Sequence, residues 1–407
     1  MSEPPTAPQV VVTGLGPVSS IGIGVDEFRA ALRDGRCGTS PIRSFDTDGF
    51  PHVYAGEVHA FAPEQIVHRL DPAEWGRSSL FAACAARLAF ADAGLEDSGV
   101  ETERIGVVIG TTCGETQVME QMTAQLLEHG YDQVSPALAR QVGANRLAHA
   151  ASQELGAGGE SLTVATACAA SNYAIGFAHD AIVSGDAEVM IAGGAESVCR
   201  FVHAGFYRLG VLAEQACSPF DRDRTGILTA EGGAALVLES ADHARARGAR
   251  IYAEVRGYGL NCDASHMVAA DPESIARCMR LAHRNAGVEP SQIDYISAHG
   301  TGTPTNDSAE CWAIHEVFAG DPPPVSSIKS MIGHAMGAAS GFGAIASALA
   351  INDRFLPPTI NFRTPDPELN GIDPVANRSR TADVRIAQNN GFGFGGNNAI
   401  VVLGAPA

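Results

Sequence analysis

The sequence predicts an α/β protein that contains parallel sheet and is assembled from two halves of like pattern. Three observations carry that prediction. Short β-branched runs alternate with small-residue stretches long enough for helices. No low-complexity linker interrupts the 407 residues. Segments of the first half also recur, in pattern though not in identity, in the same order in the second.

Along the chain, strands are expected at Val10–Thr13, Gly106–Gly110, Glu188–Ala192, Ala234–Glu239, Ile251–Tyr258, Tyr295–Ser297 and Ala399–Leu403. Helices are expected at Ser78–Ala93, Ser171–Ser184 and Ile275–Ala286. The Pro-rich pieces Asp321–Pro324 and Pro357–Pro367 read as loops inside the fold. The repeat matches Ile105–Gly110 and the following Thr111-Thr112-Cys113-Gly114 with Ile293–Ala298 and the following His299-Gly300-Thr301-Gly302-Thr303. It also matches Leu162–Ala167, which enters Cys168 and a small-residue helix, with Pro324–Ile328, which enters Lys329, His334 and another. The halves are expected to divide as 1–250 and 251–407. In a duplicated α/β unit corresponding strand ends lie side by side, so Cys168, His299, Lys329 and His334 are expected to converge.

Composition narrows the function. Acidic residues number 46 against 27 basic, a net charge of −19, which argues against nucleic acid or an anionic membrane as the main partner. No apolar run reaches the roughly 20 residues of a membrane span. The opening Met1-Ser2-Glu3-Pro4-Pro5 lacks signal-peptide features, so a cytoplasmic protein is expected. Nine cysteines without a C-x-x-C pair read as reduced thiols rather than a disulfide framework or zinc site. Of the 27 basic residues 26 are Arg, and the only lysine is Lys329. A compact ammonium and a planar guanidinium are not exchangeable in a confined site, which singles Lys329 out.

Four segments carry chemistry. In Thr163-Val164-Ala165-Thr166-Ala167-Cys168-Ala169-Ala170-Ser171 an apolar strand enters a cysteine and a small-residue helix leaves it. A thiol at a helix N-terminus meets exposed N–H groups and the positive end of the macrodipole, which favour thiolate. His299 follows a strand and precedes Gly and hydroxyl residues, and Lys329 and His334 sit five residues apart in a small-residue stretch. The fourth segment, Gly391-Phe392-Gly393-Phe394-Gly395-Gly396-Asn397-Asn398, formally matches G-x-G-x-x-G but precedes a strand with no βαβ unit after it. It reads instead as flexible backbone that can approach a reacting centre, with two aromatic rings able to cover it. Taken singly, each of these residues is as readily a packed core side chain as a functional one.

Together, T-A-C-A-A-S, A-H-G-T-G-T-P-T-N-D, S-S-I-K-S-M-I-G-H-A-M-G-A-A and N-G-F-G-F-G-G-N-N resemble the β-ketoacyl-acyl-carrier-protein synthases over nearly the whole chain. The resemblance implies a thiolase-like, five-layered αβαβα fold, a dimer, and decarboxylative condensation of malonyl carrier with a Cys-bound acyl chain. It implies Cys168 as nucleophile, His299 and His334 as paired histidines, and Lys329 as the active-site lysine. It further implies an oxyanion hole from the Cys168 and Phe394 N–H groups, Phe394 as gate with Phe392 beside it, and Thr301 and Thr303 as pantetheine hydroxyls. Cys113 would line the acyl pocket at the dimer interface and leave it open to medium or long chains. No metal or cofactor is implied; the substrates ride on the phosphopantetheine of an acyl carrier protein, docked by a local Arg patch for which Arg69 is a candidate. The second subunit is either an identical copy or a related one. Many relatives carry Glu where this chain has Gly343, leaving Asp307 and Glu310 to neutralise Lys329. The region Arg224-Thr225-Gly226-Ile227 and the pair Asn397-Asn398 also depart from the family pattern. The motifs lean toward type II polyketide over fatty-acid synthesis. Two competing readings are a non-condensing chain-length subunit and an acyltransferase or malonyl decarboxylase using the same pocket.

Overall fold

The computed structural model describes residues 8–369 and 371–406. At its centre is one hydrogen-bonded sheet in which ten strands fall into two sets of five. The first set is β1 (Val10–Ser19), β2 (Ile105–Thr111), β3 (Ser161–Ala165), β4 (Val189–Glu196) and β5 (Gly232–Ser240). The second is β6 (Ala253–Cys262), β7 (Tyr295–Ser297), β8 (Val325–Ser326), β9 (Ile386–Phe392) and β10 (Asn397–Gly404). Across the sheet the order is β8-β7-β9-β10-β6-β1-β5-β4-β2-β3, so both sets run third, second, fourth, fifth, first. Strand sense repeats as well. The second strand pairs parallel to the third and fourth, and the fourth, fifth and first pair antiparallel, in each set. The sets meet first strand to first strand, antiparallel, with Val10 opposite Val255, as a twofold axis through the seam requires.

Six helices complete the layers. α1 (Arg77–Asp92) and α2 (Arg146–Leu155) cover the first set, while α4 (Pro272–Ala286) and α5 (Pro304–Val317) cover the second. Between the sets lie α3 (Ala170–Val183) and α6 (Ala339–Asp353), which touch each other and strands of both sets. The difference in address is written in the side chains. α4 is amphipathic, turning Arg277, Arg280 and Arg284 to solvent. α6 is buried along its whole length from Ala339 to Ile351, and its Ala, Gly and Ser residues let both strand sets close over it. The result is the five-layered αβαβα arrangement.

The expected strands and helices all form, most of them longer than their apolar runs. β9 was not among the expected strands. Its Gln388-Asn389-Asn390 run is polar in sequence yet buried on both faces. Phe392 therefore belongs to a strand end, and the Phe-Gly segment is a tight hairpin in which Gly393 donates its N–H to the Asn397 carbonyl at 2.7 Å.

Candidate active site

The N-terminal half supplies the thiol. One residue, Thr166, separates β3 from a single 3-10 turn, Ala167–Ala169, which runs directly into α3. Ala167 holds φ at 51°, a left-handed conformation unusual for a residue with a Cβ. This kink sets Cys168, 5% exposed, at the head of the central helix. The backbone N–H groups of Phe394 and of Cys168 itself pull its thiol pKa downward.

The C-terminal half supplies the imidazoles. After β7 the chain turns through Gly300 and Gly302, at φ 37° and 76°. Fully buried Glu310 of α5 accepts the His299 and Gly300 N–H groups at 2.8 and 2.7 Å. On the other side of the turn, Lys329 Nζ donates to the His299 carbonyl at 2.6 Å and Ser327 Oγ to the Gly300 carbonyl at 2.6 Å. The His299 peptide is thus held at both its N–H and its C=O. His334 donates its own N–H to the Leu228 carbonyl at 2.7 Å, and its ring Nδ1 accepts the Met336 N–H at 3.0 Å. A ring nitrogen that accepts carries no proton, so neutral His334 bears its proton on Nε2.

Cys168, His299 and His334 offer ligand atoms that all lie within 4.8 Å of one another. They line a cavity of about 80 Å³ together with Thr301, Thr303 and Phe394. The Thr301 and Thr303 hydroxyls are 2.8 Å apart, and Thr303 also caps α5. Burial pushes the Cys168 thiol up to about 11, against the opposing pull of the Lys329 charge and the two N–H groups. Desolvation in this dry setting thus works against the thiolate that a helix N-terminus favours. Burial first, and Lys329 second, hold both imidazoles well below their usual range. Burial also lowers Lys329, with Glu310 the strongest opposing charge. The site therefore joins a protonated thiol to two neutral imidazoles. The trio has the reach of a metal site, but His334 would have to give up its Nε2 proton to ligate while Nδ1 stays occupied. It suits hydrogen-bond donation instead.

The remaining expected residues are distributed more widely. Asp307 accepts the Phe220 and Gly302 N–H groups and lies 3.7 Å from Arg224, which also pairs with Asp366 at 2.6 Å. Its charge answers Arg224 before Lys329. At Gly343 a Cβ would meet Asn389 Oδ1 at 2.3 Å, so Asn389 fills the space beside it. Phe394 stacks near Phe206, with centroids 6.1 Å apart, and Phe392 packs edge-on to His299 at 5.5 Å. Cys113 does not line the cavity. It is half-buried against a cluster containing Cys199, Phe206 and Met336, on which Phe394 also packs. Arg69 is exposed, its guanidinium against the turn at Gly156.

Two features escaped the sequence reading. Glu196, at the end of β4 and 1% exposed, accepts N–H groups from Thr112, Cys113 and Gly337 at 2.7–3.1 Å, tying the two halves together. Burial raises it to about 7 despite those bonds. The second is the amide run of β9, from which Asn390 donates to Glu310 at 2.9 Å. A carboxylate closing an otherwise apolar strand was the available signal for Glu196.

Known proteins resemble the chain over nearly its whole length. The chain is 38% identical over 406 residues to a Synechocystis protein named 3-oxoacyl-acyl-carrier-protein synthase 2, covering 97% of each. It is 39% identical over 405 residues to a Staphylococcus aureus protein of the same name, covering 97% of this chain and 98% of that one. Among solved structures, the ishigamide ketosynthase/chain length factor superposes with a TM-score of 0.97 at 48% identity, covering 99% of this chain and 100% of that one. A type II PKS acyl-carrier protein in complex with its ketosynthase bound to the hexaketide gives 0.91 at 32%, over 99% and 100%. The Beta-ketoacyl synthase N-terminal domain matches residues 7–244 and the C-terminal domain residues 252–363. With both domains matched in order, the chain belongs to the β-ketoacyl synthase family.

Proposed function

We propose that the chain is a β-ketoacyl-acyl-carrier-protein synthase working in type II polyketide synthesis with an acyl carrier protein and a ketosynthase-like second subunit. One observation carries the reading: a thiol and two neutral imidazoles within 4.8 Å of one another, drawn from opposite halves and lining one cavity. The type II setting rests on the likeness to the ishigamide and hexaketide-bound ketosynthases.

In the first step Cys168 attacks the carrier thioester. A C–S bond forms as the carrier's own C–S bond breaks, the thiol proton ends on the departing carrier thiol, and the acyl oxygen rests on the Cys168 and Phe394 N–H groups. Malonyl carrier then enters past Thr301 and Thr303. Its carboxylate C–C bond breaks, carbon dioxide leaves, and the electron pair becomes an enolate whose oxygen takes hydrogen bonds from His299 and His334. Neutral donors stabilise that oxygen without protonating the carbon. The enolate carbon attacks the acyl-Cys carbonyl, the C–S bond breaks, and the thiolate of Cys168 takes up a proton from solvent. Lys329 holds the His299 turn and supplies a fixed positive charge.

Purified chain, with its partner subunit where one is required, is incubated with acyl carrier and malonyl carrier, and both protein and product are weighed by mass spectrometry. The acyl group is expected on Cys168, followed by β-ketoacyl carrier. Cys168→Ala is expected to keep the fold and lose about a thousandfold or more of the condensation rate. An acyl group found on Cys113 or Cys199 overturns the nucleophile. Release of carbon dioxide with acetyl carrier as the only product makes the protein a decarboxylase instead.

A further inference from the structure

The strand β9 buries three successive amides, Gln388, Asn389 and Asn390, each no more than 1% exposed. Buried amides are unfavourable unless their hydrogen bonds are met, so where those bonds lead is informative. Strand alternation sends Asn389 toward the central helices, where it donates to Asn172 Oδ1 of α3 and the Ser340 carbonyl of α6, both at 2.8 Å. Gln388 and Asn390 face the outer helices. There His283 of α4, 3% exposed, has its Nε2 2.6 Å from Gln388 Oε1. Gln388 Nε2 donates to Asn390 Oδ1 at 2.7 Å, and Asn390 Nδ2 donates to Glu310 Oε1 at 2.9 Å. Glu310 is the carboxylate that accepts the His299 and Gly300 N–H groups.

The series has one direction. Glu310 already accepts two backbone donors, so Asn390 must turn its NH2 toward it and its oxygen toward Gln388. Gln388 must then donate to Asn390 and accept from His283, which fixes the His283 tautomer with its proton on Nε2. Every rotamer in the series is set by its neighbour, and the last link is the turn that carries His299.

We propose that Gln388 and His283 are positioning residues for His299, holding its peptide through Asn390 and Glu310 while Lys329 holds the same peptide from the opposite side. This deepens the condensing reading above and rests on it. The nucleophile is attached elsewhere, through Asn172 and Asn389, so the two half-reactions separate the idea from a general structural role.

The test measures Cys168 acylation by acyl carrier and decarboxylation of malonyl carrier on the pre-acylated enzyme, each as kcat and KM, in wild type, Gln388→Leu, His283→Leu and His283→Gln. Gln388→Leu removes both amide links. It is expected to lower decarboxylation kcat about tenfold while acylation stays within about twofold, as a displaced catalytic group would. His283→Leu is expected to show the same split more weakly, and His283→Gln, which restores an N–H donor, to return toward wild type. Equal losses in both half-reactions, or no loss in either, overturn the proposal. If Gln388→Leu does not fold, the two His283 variants decide alone, and indistinguishable Leu and Gln variants overturn it. Wild-type enzyme that acylates but never decarboxylates malonyl carrier would instead sink the condensing reading, and this inference with it.

Discussion

The two halves share a topology and differ at one elbow. In each, the third strand leads to a residue in the left-handed region, Ala167 at 51° or Met336 at 46°. Each of these opens a single 3-10 turn, Ala167–Ala169 or Met336–Ala338, and each turn passes directly into a central helix. Cys168 is the second residue of one turn and Gly337 the second of the other. Before the turn the N-terminal half has only Thr166, whereas the C-terminal half interposes Ser327 to Ala335, the segment that holds Lys329 and His334. The counterpart of Cys168 is therefore Gly337, and Lys329 and His334 have no equivalent. A buried glutamate also serves the loop after the second strand of each half: Glu196 takes the Thr112 and Cys113 N–H groups, and Glu310 those of His299 and Gly300. Duplication sets where the site lies, and the unequal insertion sets what it can do.

The insertion is the sharpest place to break the comparison. Lys329→Arg should reduce condensation by about a hundredfold or more, because a planar guanidinium cannot reach the His299 carbonyl from the same buried cell. Steady-state assays with saturating malonyl carrier measure it, and an active Arg variant would mean that charge alone suffices. Next comes the other elbow. Gly337→Ala would place a Cβ 2.4 Å from Thr111 Cα, so it should destabilise by about 1–3 kcal/mol, read as a lower denaturation midpoint.

Glu196 gives a pH-dependent contrast. Its folded-state value, about 7, lies above the ordinary glutamate value, so the folded chain holds an extra proton in between. Its contribution to stability falls as pH rises through that window and changes no further above it. Denaturation midpoints of wild type and Glu196→Gln between pH 5 and 8 should therefore differ progressively, the variant lacking this decline; parallel curves would place the titration elsewhere. The smallest expected effect is at Cys113. Cys113→Phe adds bulk beside Phe206, Met336 and Phe394, and should shift the accepted acyl length downward while leaving acetyl loading nearly intact. Loading Cys168 with a series of acyl chains measures it, and identical profiles would remove Cys113 from the determinants of length.

Legibility in the sequence followed how each residue is buried. Strands made of β-branched runs, such as Val10–Ser19 and Val189–Glu196, announced themselves, as did the small-residue central helices. β9 did not, because Gln388-Asn389-Asn390 has the polarity of a loop and becomes a buried strand only when its partners are known. The convergence of Cys168, His299, Lys329 and His334 was legible from the repeated pattern. The state of the thiol was not: its surroundings come from Phe394, Glu196 and Lys329, distant residues that no local rule about helix ends includes. Nor does any local rule reach the surroundings of Cys113, whose neighbours Cys199, Phe206 and Met336 are distant in sequence.

The position of β10 has a consequence for synthesis on the ribosome. Asn397–Gly404 is made after every other strand of the sheet, yet it lies between β9 and β6 and, among the described residues, is the strand that links the outer strands of its half to the seam. Until those residues emerge, β6 and β9 each expose an unpaired edge, and the loops bearing His299, Lys329 and His334 have no sheet joining them to the half that carries Cys168. A nascent chain halted before Asn397 would thus hold every proposed catalytic side chain and still lack the frame that brings them together. Its two open edges would make it a substrate for chaperones or a seed for aggregation.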